Sequence, residues 1–259
     1  MRFDNRTAVV TGAASGLGLG MARHLAELGV RVCLADVDAE RLATVTPTIA
    51  KAEHGPPMMV AADLSTREGA HELVSTAIDE FGAVDILVNN AGGGVIRPTL
   101  EHTEQTLRET MDRNLWTMAY CTLEVLPHMV ERGYGRIVSL GAESVRNGLE
   151  QHAFYSAAKG AVHGFTTGLA REFAPRGITV NVVAPAMVIT PQFRENLDRA
   201  PAEYRAEFEA FIERIRTTIP LGRGGTVEEV AAAVAFVASD DAGFVTGQVI
   251  SVNGGSSML

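Results

Sequence analysis

The sequence predicts an α/β fold, a doubly wound seven-stranded parallel sheet with helices on both faces. Three observations carry that prediction. Short apolar, β-branched runs of strand length recur along the 259 residues. Stretches with apolar residues at helical spacing separate them. A glycine-rich turn joins the first strand to the first helix, and such alternation builds parallel sheets from crossover units. There is no internal repeat and no low-complexity linker, so residues 1–259 read as one domain.

The first strand is Thr7 to Thr11, apolar and β-branched. Thr11-Gly12-Ala13-Ala14-Ser15-Gly16-Leu17-Gly18 follows and opens a helix with apolar Leu19, Ala22, Leu25, Ala26 and Leu28. Arg31 to Ala35 is the second strand and ends in Asp36. Asp38 to Ala52 reads as helix, kinked or ended by Pro47, which has no amide N–H to donate. Met58 to Ala62 is a strand leading to Asp63-Leu64. Arg67 to Phe81 is an amphipathic helix with Ala70, Leu73, Val74, Ala77 and Ile78 on its buried stripe. Val84 to Val88 is a strand running into Asn89-Asn90-Ala91-Gly92. Thr103 to Met129 gives one helix or two in tandem and contains Asn114. Arg136 to Leu140 is a strand and Ala153 to Pro175 a helix. Ile178 to Val183 is a strand ending in Pro185. Glu228 to Ser239 is a helix, and Gln248 to Val252 is the closing strand.

Composition bounds the function. With 46% hydrophobic residues the chain can bury a full core. A formal charge of −9 without a basic cluster argues against a nucleic-acid partner. Cys33 and Cys121, in apolar surroundings, read as buried core thiols in a reducing compartment, not as a disulfide or metal pair. No signal peptide and no bilayer-length apolar run is present, so the expectation is a cytoplasmic protein with no membrane partner and no metal.

Strand, glycine-rich turn and helix form the context in which a glycine pattern signals dinucleotide binding. The glycines let backbone approach a pyrophosphate, whose charge is favoured at a helix N-terminus. A tight turn without a ligand is the other reading. Asp36 lies 18 residues past Gly18, near the spacing at which a carboxylate grips adenosine ribose hydroxyls. It would repel a 2′-phosphate, and neither Ala13 nor Ala14 is basic, which favours NAD over NADP. Asp36 could otherwise only cap the next helix. Tyr155 and Lys159, four apart, share one helix face. Alone they would read as a solvated face.

Taken in order, these pieces resemble the short-chain dehydrogenase/reductase family over essentially the whole chain: Thr11 to Gly18, Asp36, Asp63-Leu64, Asn89 to Gly92, Asn114, Tyr155 with Lys159, Pro185 through Thr190, and Val245 to Gln248 followed by Val252 to Gly255. The resemblance implies a Rossmann-type sheet and NAD as cofactor. It implies that Gly12, Ser15, Gly16, Leu17 and Gly18 line the pyrophosphate. Asp36 would hold the adenosine ribose, and Asp63 and Leu64 would contact adenine. Asn90, Ala91 and Gly92 would lie along the nicotinamide ribose. Pro185, Val188 and Thr190 would border the nicotinamide, Val188 and Thr190 touching its amide. Asn114 would keep a kink in its helix and hold a relay water. Tyr155 would exchange the proton of a secondary alcohol or its ketone while Lys159 contacts the nicotinamide ribose. A free tyrosine, with a pKa of about 10, is a poor base at neutral pH. Positive charge from Lys159 and an oxidised nicotinamide would favour the phenolate. A homotetramer is also implied.

Two departures stand out. The family usually carries a serine 13 residues before the tyrosine, and here that position is Ala142. Ser144 is the candidate replacement hydroxyl; Glu143, a backbone amide or a substrate group are the others. Ala186 follows Pro185 where the family commonly has glycine. Thr190 to Ile219 corresponds to the family's substrate lid, and Phe193, Leu197, Tyr204, Phe208, Phe211 and Ile212 suit a hydrophobic or cyclic alcohol. Those side chains could equally pack on the body or on a neighbouring subunit. Gly93, Gly94, Val95, Ile96, Arg97, His152 and the run from Arg146 to Gln151 are further pocket-wall candidates, with Arg97 either facing a substrate carboxylate or serving as a surface charge. The Gly-Gly-Gly after Ala91 and Glu101-His102 look somewhat like dehydrogenases of cis-dihydrodiols. The expected activity is hydride transfer between NAD(H) and a small-molecule secondary alcohol or ketone, possible types being cis-dihydrodiols and hydroxyacyl compounds. Two alternatives are an NADPH-dependent 3-oxoacyl reductase, which Asp36 argues against, and a catalytically weak NAD-binding sensor or structural protein, which Ala142 would suit.

Overall fold

The computed structural model describes residues 1, 3–53 and 55–258; the side chains at 192, 194, 196, 198, 202, 206, 207, 211, 215 and 216 are not described. The strands are β1 (Thr7–Thr11), β2 (Arg31–Asp36), β3 (Met58–Ala61), β4 (Ile86–Asn89), β5 (Gly135–Leu140), β6 (Ile178–Pro185) and β7 (Val249–Val252). The helices are α1 (Gly16–Glu27), α2 (Ala39–Val45), α3 (Arg67–Phe81), α4 (Glu104–Met111), α5 (Thr117–Arg132), α6 (Ser144–Asn147), α7 (Ala153–Phe173), α8 (Pro191–Asp198), α9 (Ala202–Thr218) and α10 (Val227–Ala238).

Among the described residues the seven strands form one sheet in the order β3-β2-β1-β4-β5-β6-β7, every pair parallel. Alternate strand residues feed two cores. Val10, Leu34 and Val138 pack with Leu25 of α1 and Val230 and Val234 of α10. Val9, Cys33 and Ile137 face the other way, onto Leu73 of α3 and Cys121, Val125 and Met129 of α5. The central strands β1, β4 and β5 are buried throughout, as a sheet covered on both faces requires. Burial pushes the Cys33 and Cys121 thiols up to about 12, so both are inert core groups.

Several elements differ from the sequence-based expectation. The helix expected over 38–52 ends at Val45, and a 3₁₀ turn at Thr46–Thr48 carries Pro47 in its first turn. The missing Pro47 N–H removes the bond that would continue the helix. The strand expected at 84–88 is observed at Ile86–Asn89. The stretch 103–129 divides into α4, a π-helical turn at Asp112–Trp116, and α5, which continues to Arg132. Asn114 drives that division: its buried Nδ2 donates to the Thr110 carbonyl at 2.8 Å and competes for the helical ladder. The short α6 was not anticipated. The lid segment forms α8 and α9, joined by a Phe193–Phe208 ring contact at 4.8 Å, while the side chain of Phe211 lies outside the described residues. No helix among the described residues is long and apolar enough to cross a membrane.

Thr11, at the end of β1, ties the sheet edge to the loop after β4. Its hydroxyl accepts from the Asn90 and Ala91 amides, both at 2.9 Å, and donates to the Val88 carbonyl at 3.3 Å. Asn90 Nδ2 returns to the Thr11 and Gly12 carbonyls at 2.9 and 3.1 Å. Thr11→Val keeps the shape but leaves those two amides without an acceptor. We predict a loss of about 1–3 kcal/mol in unfolding free energy. Urea unfolding checks it, a lower midpoint at unchanged slope being the expected result.

Candidate functional site

A cleft of about 740 Å³ runs along the carboxyl edge of the sheet, where strand order reverses between β1 and β4. That reversal point is where open α/β sheets receive ligands. Of the sequence-predicted residues, Gly12, Ser15, Gly16, Leu17, Asp36, Asp63, Leu64, Asn90, Ala91, Gly92, Tyr155, Lys159, Pro185 and Thr190 line it. Gly18, Asn114, Ser144 and Val188 are not among its lining residues. Gly18 sits behind the loop, where a Cβ would overlap the Gly12 carbonyl. Val188 bridges to Gly225 at the root of the lid.

The glycine loop fits a dinucleotide phosphate. Gly12 has φ +64°, and a Cβ there would lie 2.8 Å from Asn90 Nδ2. Helix α1 begins after Ser15 with no side-chain cap and no acidic residue in its first turn. No side chain of that turn offsets its N-terminal partial positive charge. Asp36 both shapes the loop and faces the cleft: its carboxylate accepts from the Ala14 amide at 3.0 Å and the Asp38 amide at 3.2 Å. Its neighbours along the cleft and chain are Ala14, Val37 and Asp38, none basic. Asp63 is held by Ser65, whose amide and hydroxyl donate to one carboxylate oxygen at 3.0 and 2.7 Å.

At the other end lie Tyr155 and Lys159, both on α7. The Lys159 ammonium is 5.9 Å from the Tyr155 ring centroid and donates to the Leu140 carbonyl at 2.8 Å. Burial lowers Lys159 to about 8 and pushes the Tyr155 phenol above its ordinary value. The family resemblance implies that positive charge from Lys159 and an oxidised nicotinamide favours the phenolate. In the protein alone, desolvation dominates both groups and drives each toward neutrality.

Asn114 is buried beside the cleft and clamps the loop after β4. Its Nδ2 donates to the Gly93 carbonyl at 2.9 Å, and its Oδ1 accepts from the Gly93 amide at 3.4 Å. The sequence-predicted kink is therefore a π-turn with a defined second contact.

Ala142 is buried, and its neighbour Gly141 reaches the cleft. The Ser144 hydroxyl accepts a bond from the Ser156 hydroxyl at 3.0 Å, so it is engaged against α7. Glu143 is buried as well. Burial pushes its carboxyl up, but hydrogen bonds from Ser251, Ser257 and Asn253 and the Arg146 charge outweigh this and hold it low. His152 lies edge-on to Tyr155 with ring centroids 6.1 Å apart, while Arg97 Nη1 reaches the Glu101 carbonyl at 3.5 Å.

Gly93, expected as a pocket wall, lines the cleft; sequence reasoning missed Val37, Ala62, Ser65, Leu140 and Gly141, and a second wall made by Glu109, Asp112, Arg113 and Thr117. Most of the first group follow directly from a strand's carboxyl end, the signal that would have found them. The second group depends on the π-turn, which rotates the face that α4 and α5 present.

Comparison with known proteins agrees with this geometry. A family model described as Enoyl-(Acyl carrier protein) reductase matches residues 12–257. The 2,3-dihydroxy-2,3-dihydro-p-cumate dehydrogenase of Pseudomonas putida is 51% identical over 258 residues, covering 99% of this chain and 96% of the relative. The 1,6-dihydroxycyclohexa-2,4-diene-1-carboxylate dehydrogenase of Acinetobacter baylyi is 34% identical over 98% of this chain and 97% of the relative. The crystal structure of levodione reductase superposes with a TM-score of 0.89 at 31% identity, covering 98% of both chains. The matched length, the strand order and the cleft together show that the chain belongs to the short-chain dehydrogenase/reductase family, whose members bind a nicotinamide dinucleotide.

Proposed function

We propose that the protein is an NAD-dependent dehydrogenase that oxidises a cyclic cis-dihydrodiol at one carbinol carbon. The observation that carries this reading is a single cleft with an uncapped helix N-terminus and Asp36 at one end and the buried Tyr155–Lys159 pair at the other. Both relatives named above are dehydrogenases of dihydroxylated rings, which supports the substrate class. The Phe193–Phe208 pair adds an aromatic element to the lid segment.

Gly12, Ser15, Gly16 and Leu17 would hold the pyrophosphate, with Gly18 packed behind them. Asp36 would accept from the adenosine ribose hydroxyls and repel a 2′-phosphate. Asp63 and Leu64 would border the adenine. Asn90, Ala91, Gly92 and Lys159 would border the nicotinamide ribose, and Pro185, Val188 and Thr190 the nicotinamide. When bound, the oxidised dinucleotide supplies a hydride acceptor and a positive charge beside the phenol. Tyr155 takes the substrate hydroxyl proton in oxidation and returns it in reduction. Lys159 stabilises the phenolate when protonated. Asn114 holds the Gly93 backbone that borders this end. Ser144 packs against Ser156 and does not line the cleft, so we assign the substrate-oxygen contact to Tyr155.

We further propose a cytoplasmic homotetramer. Two buried free thiols suit a reducing compartment. Exposed Trp116 and Leu123, with Trp116 stacked on Tyr120 at 5.6 Å, and exposed Phe236 and Phe244 supply apolar surface for self-association. Light scattering should give four times the 27.5 kDa chain mass; a monomer mass would refute this assembly.

Activity is tested by NADH absorbance with cyclic cis-dihydrodiols. Oxidation with NAD should exceed that with NADP by at least about 10-fold, equivalent to roughly 1.4 kcal/mol. Tyr155→Phe should lower turnover by about 100-fold or more while cofactor affinity stays near the parent value. Equal use of NADP would overturn the role of Asp36, and full turnover by Tyr155→Phe would overturn that of the phenol.

A further inference from the structure

The glycines at 92, 93 and 94 are demanded by three different constraints. A Cβ on Gly92 would lie 2.9 Å from Asn114 Oδ1 and 3.5 Å from Lys159 Nζ. Gly93 has φ +150° and nothing within 4 Å of an added Cβ, so backbone conformation alone calls for glycine there. Gly94 has no positive φ, and its backbone would suit any residue. Yet a Cβ on Gly94 would lie 2.5 Å from Tyr155 Cδ2 and 3.1 Å from Tyr155 Cβ and Cγ. The aromatic ring is the reason for this glycine.

We propose that Gly94 is a positioning residue for Tyr155: its bare backbone seats the phenol ring, and any side chain there displaces the ring from Lys159. The seat is rigid because the preceding residue is held at both its amide and its carbonyl by Asn114, itself fixed to Thr110 in the π-turn. On the chain side, Tyr155 is carried by the first turn of α7, with His152 edge-on at 6.1 Å. The ring therefore lies between helix and loop, and its position follows from the loop backbone. Asn114 thereby acts on Tyr155 through packing, holding the residue next to Gly94 along the loop.

The proposal rests on Tyr155 as the proton-transfer group, and the experiment separates the two. Gly94→Ala, Gly94→Ser and Tyr155→Phe are compared in dihydrodiol oxidation by NAD, with NADH affinity measured by fluorescence. Gly94→Ala should lower kcat by about 10- to 100-fold with KM and NADH affinity within about two-fold of the parent, and Gly94→Ser should fall further. The pH profile of kcat should move to higher pH, because a ring displaced from the Lys159 charge holds its proton more tightly. Parent-like kcat and pH profile in both Gly94 variants, with Tyr155→Phe inactive, would overturn the role of Gly94 alone. A fully active Tyr155→Phe would overturn the underlying reading. Loss of NADH binding by Gly94→Ala would also contradict the proposal, which confines the effect to the phenol.

Discussion

A lysine ammonium buried at the carboxyl edge of a parallel sheet is the constraint on which the rest of the site depends. Among the described residues no carboxylate pairs with Lys159. Its charge is met by the Leu140 carbonyl at 2.8 Å, the last residue of β5. Burying a cation with so little compensation is costly, and the lysine responds by becoming a weaker base. The same dry environment raises the neighbouring phenol. Burial thus weakens the lysine and opposes ionisation of the phenol, and a positive charge arriving in the cleft would favour the phenolate.

The backbone around the pair is arranged to permit this closeness. Gly12 and Gly18 nest against each other and against Asn90, which ties the glycine loop to the loop after β4. The Thr11 hydroxyl fastens β4 and the loop after it to β1, donating to the Val88 carbonyl and accepting from the Asn90 and Ala91 amides. Asn114 fixes the far side of the same loop. One continuous stretch of backbone thus links the end that suits pyrophosphate to the end that carries the phenol.

What was legible in the sequence is what short spacing encodes. The glycine turn, Asp36 at the end of β2 and the four-residue interval from Tyr155 to Lys159 each need only local geometry to be meaningful. The sheet was legible because its central strands are buried on both faces and read as continuous apolar runs. The wall of Glu109, Asp112, Arg113 and Thr117 was not, because a five-residue π-turn changes which side of α4 and α5 meets the cleft. Nor could spacing show that the Ser144 hydroxyl accepts from Ser156, twelve residues on, or that the Glu143 carboxylate is bound by Ser257 near the C-terminus. The direction of the Tyr155 shift was also beyond the sequence, since it depends on how much water the loops at 92–94 and 140–141 exclude.

Burial raises the Tyr155 phenol above its ordinary value in the cofactor-free protein. Alkaline titration of the tyrosinate ultraviolet band tests it, comparing the cofactor-free protein with its Tyr155→Phe variant. Because burial raises the phenol, the difference between the two should appear only above the ordinary value of 10.0. A Tyr155 phenolate already present at neutral pH in the cofactor-free protein would contradict the account.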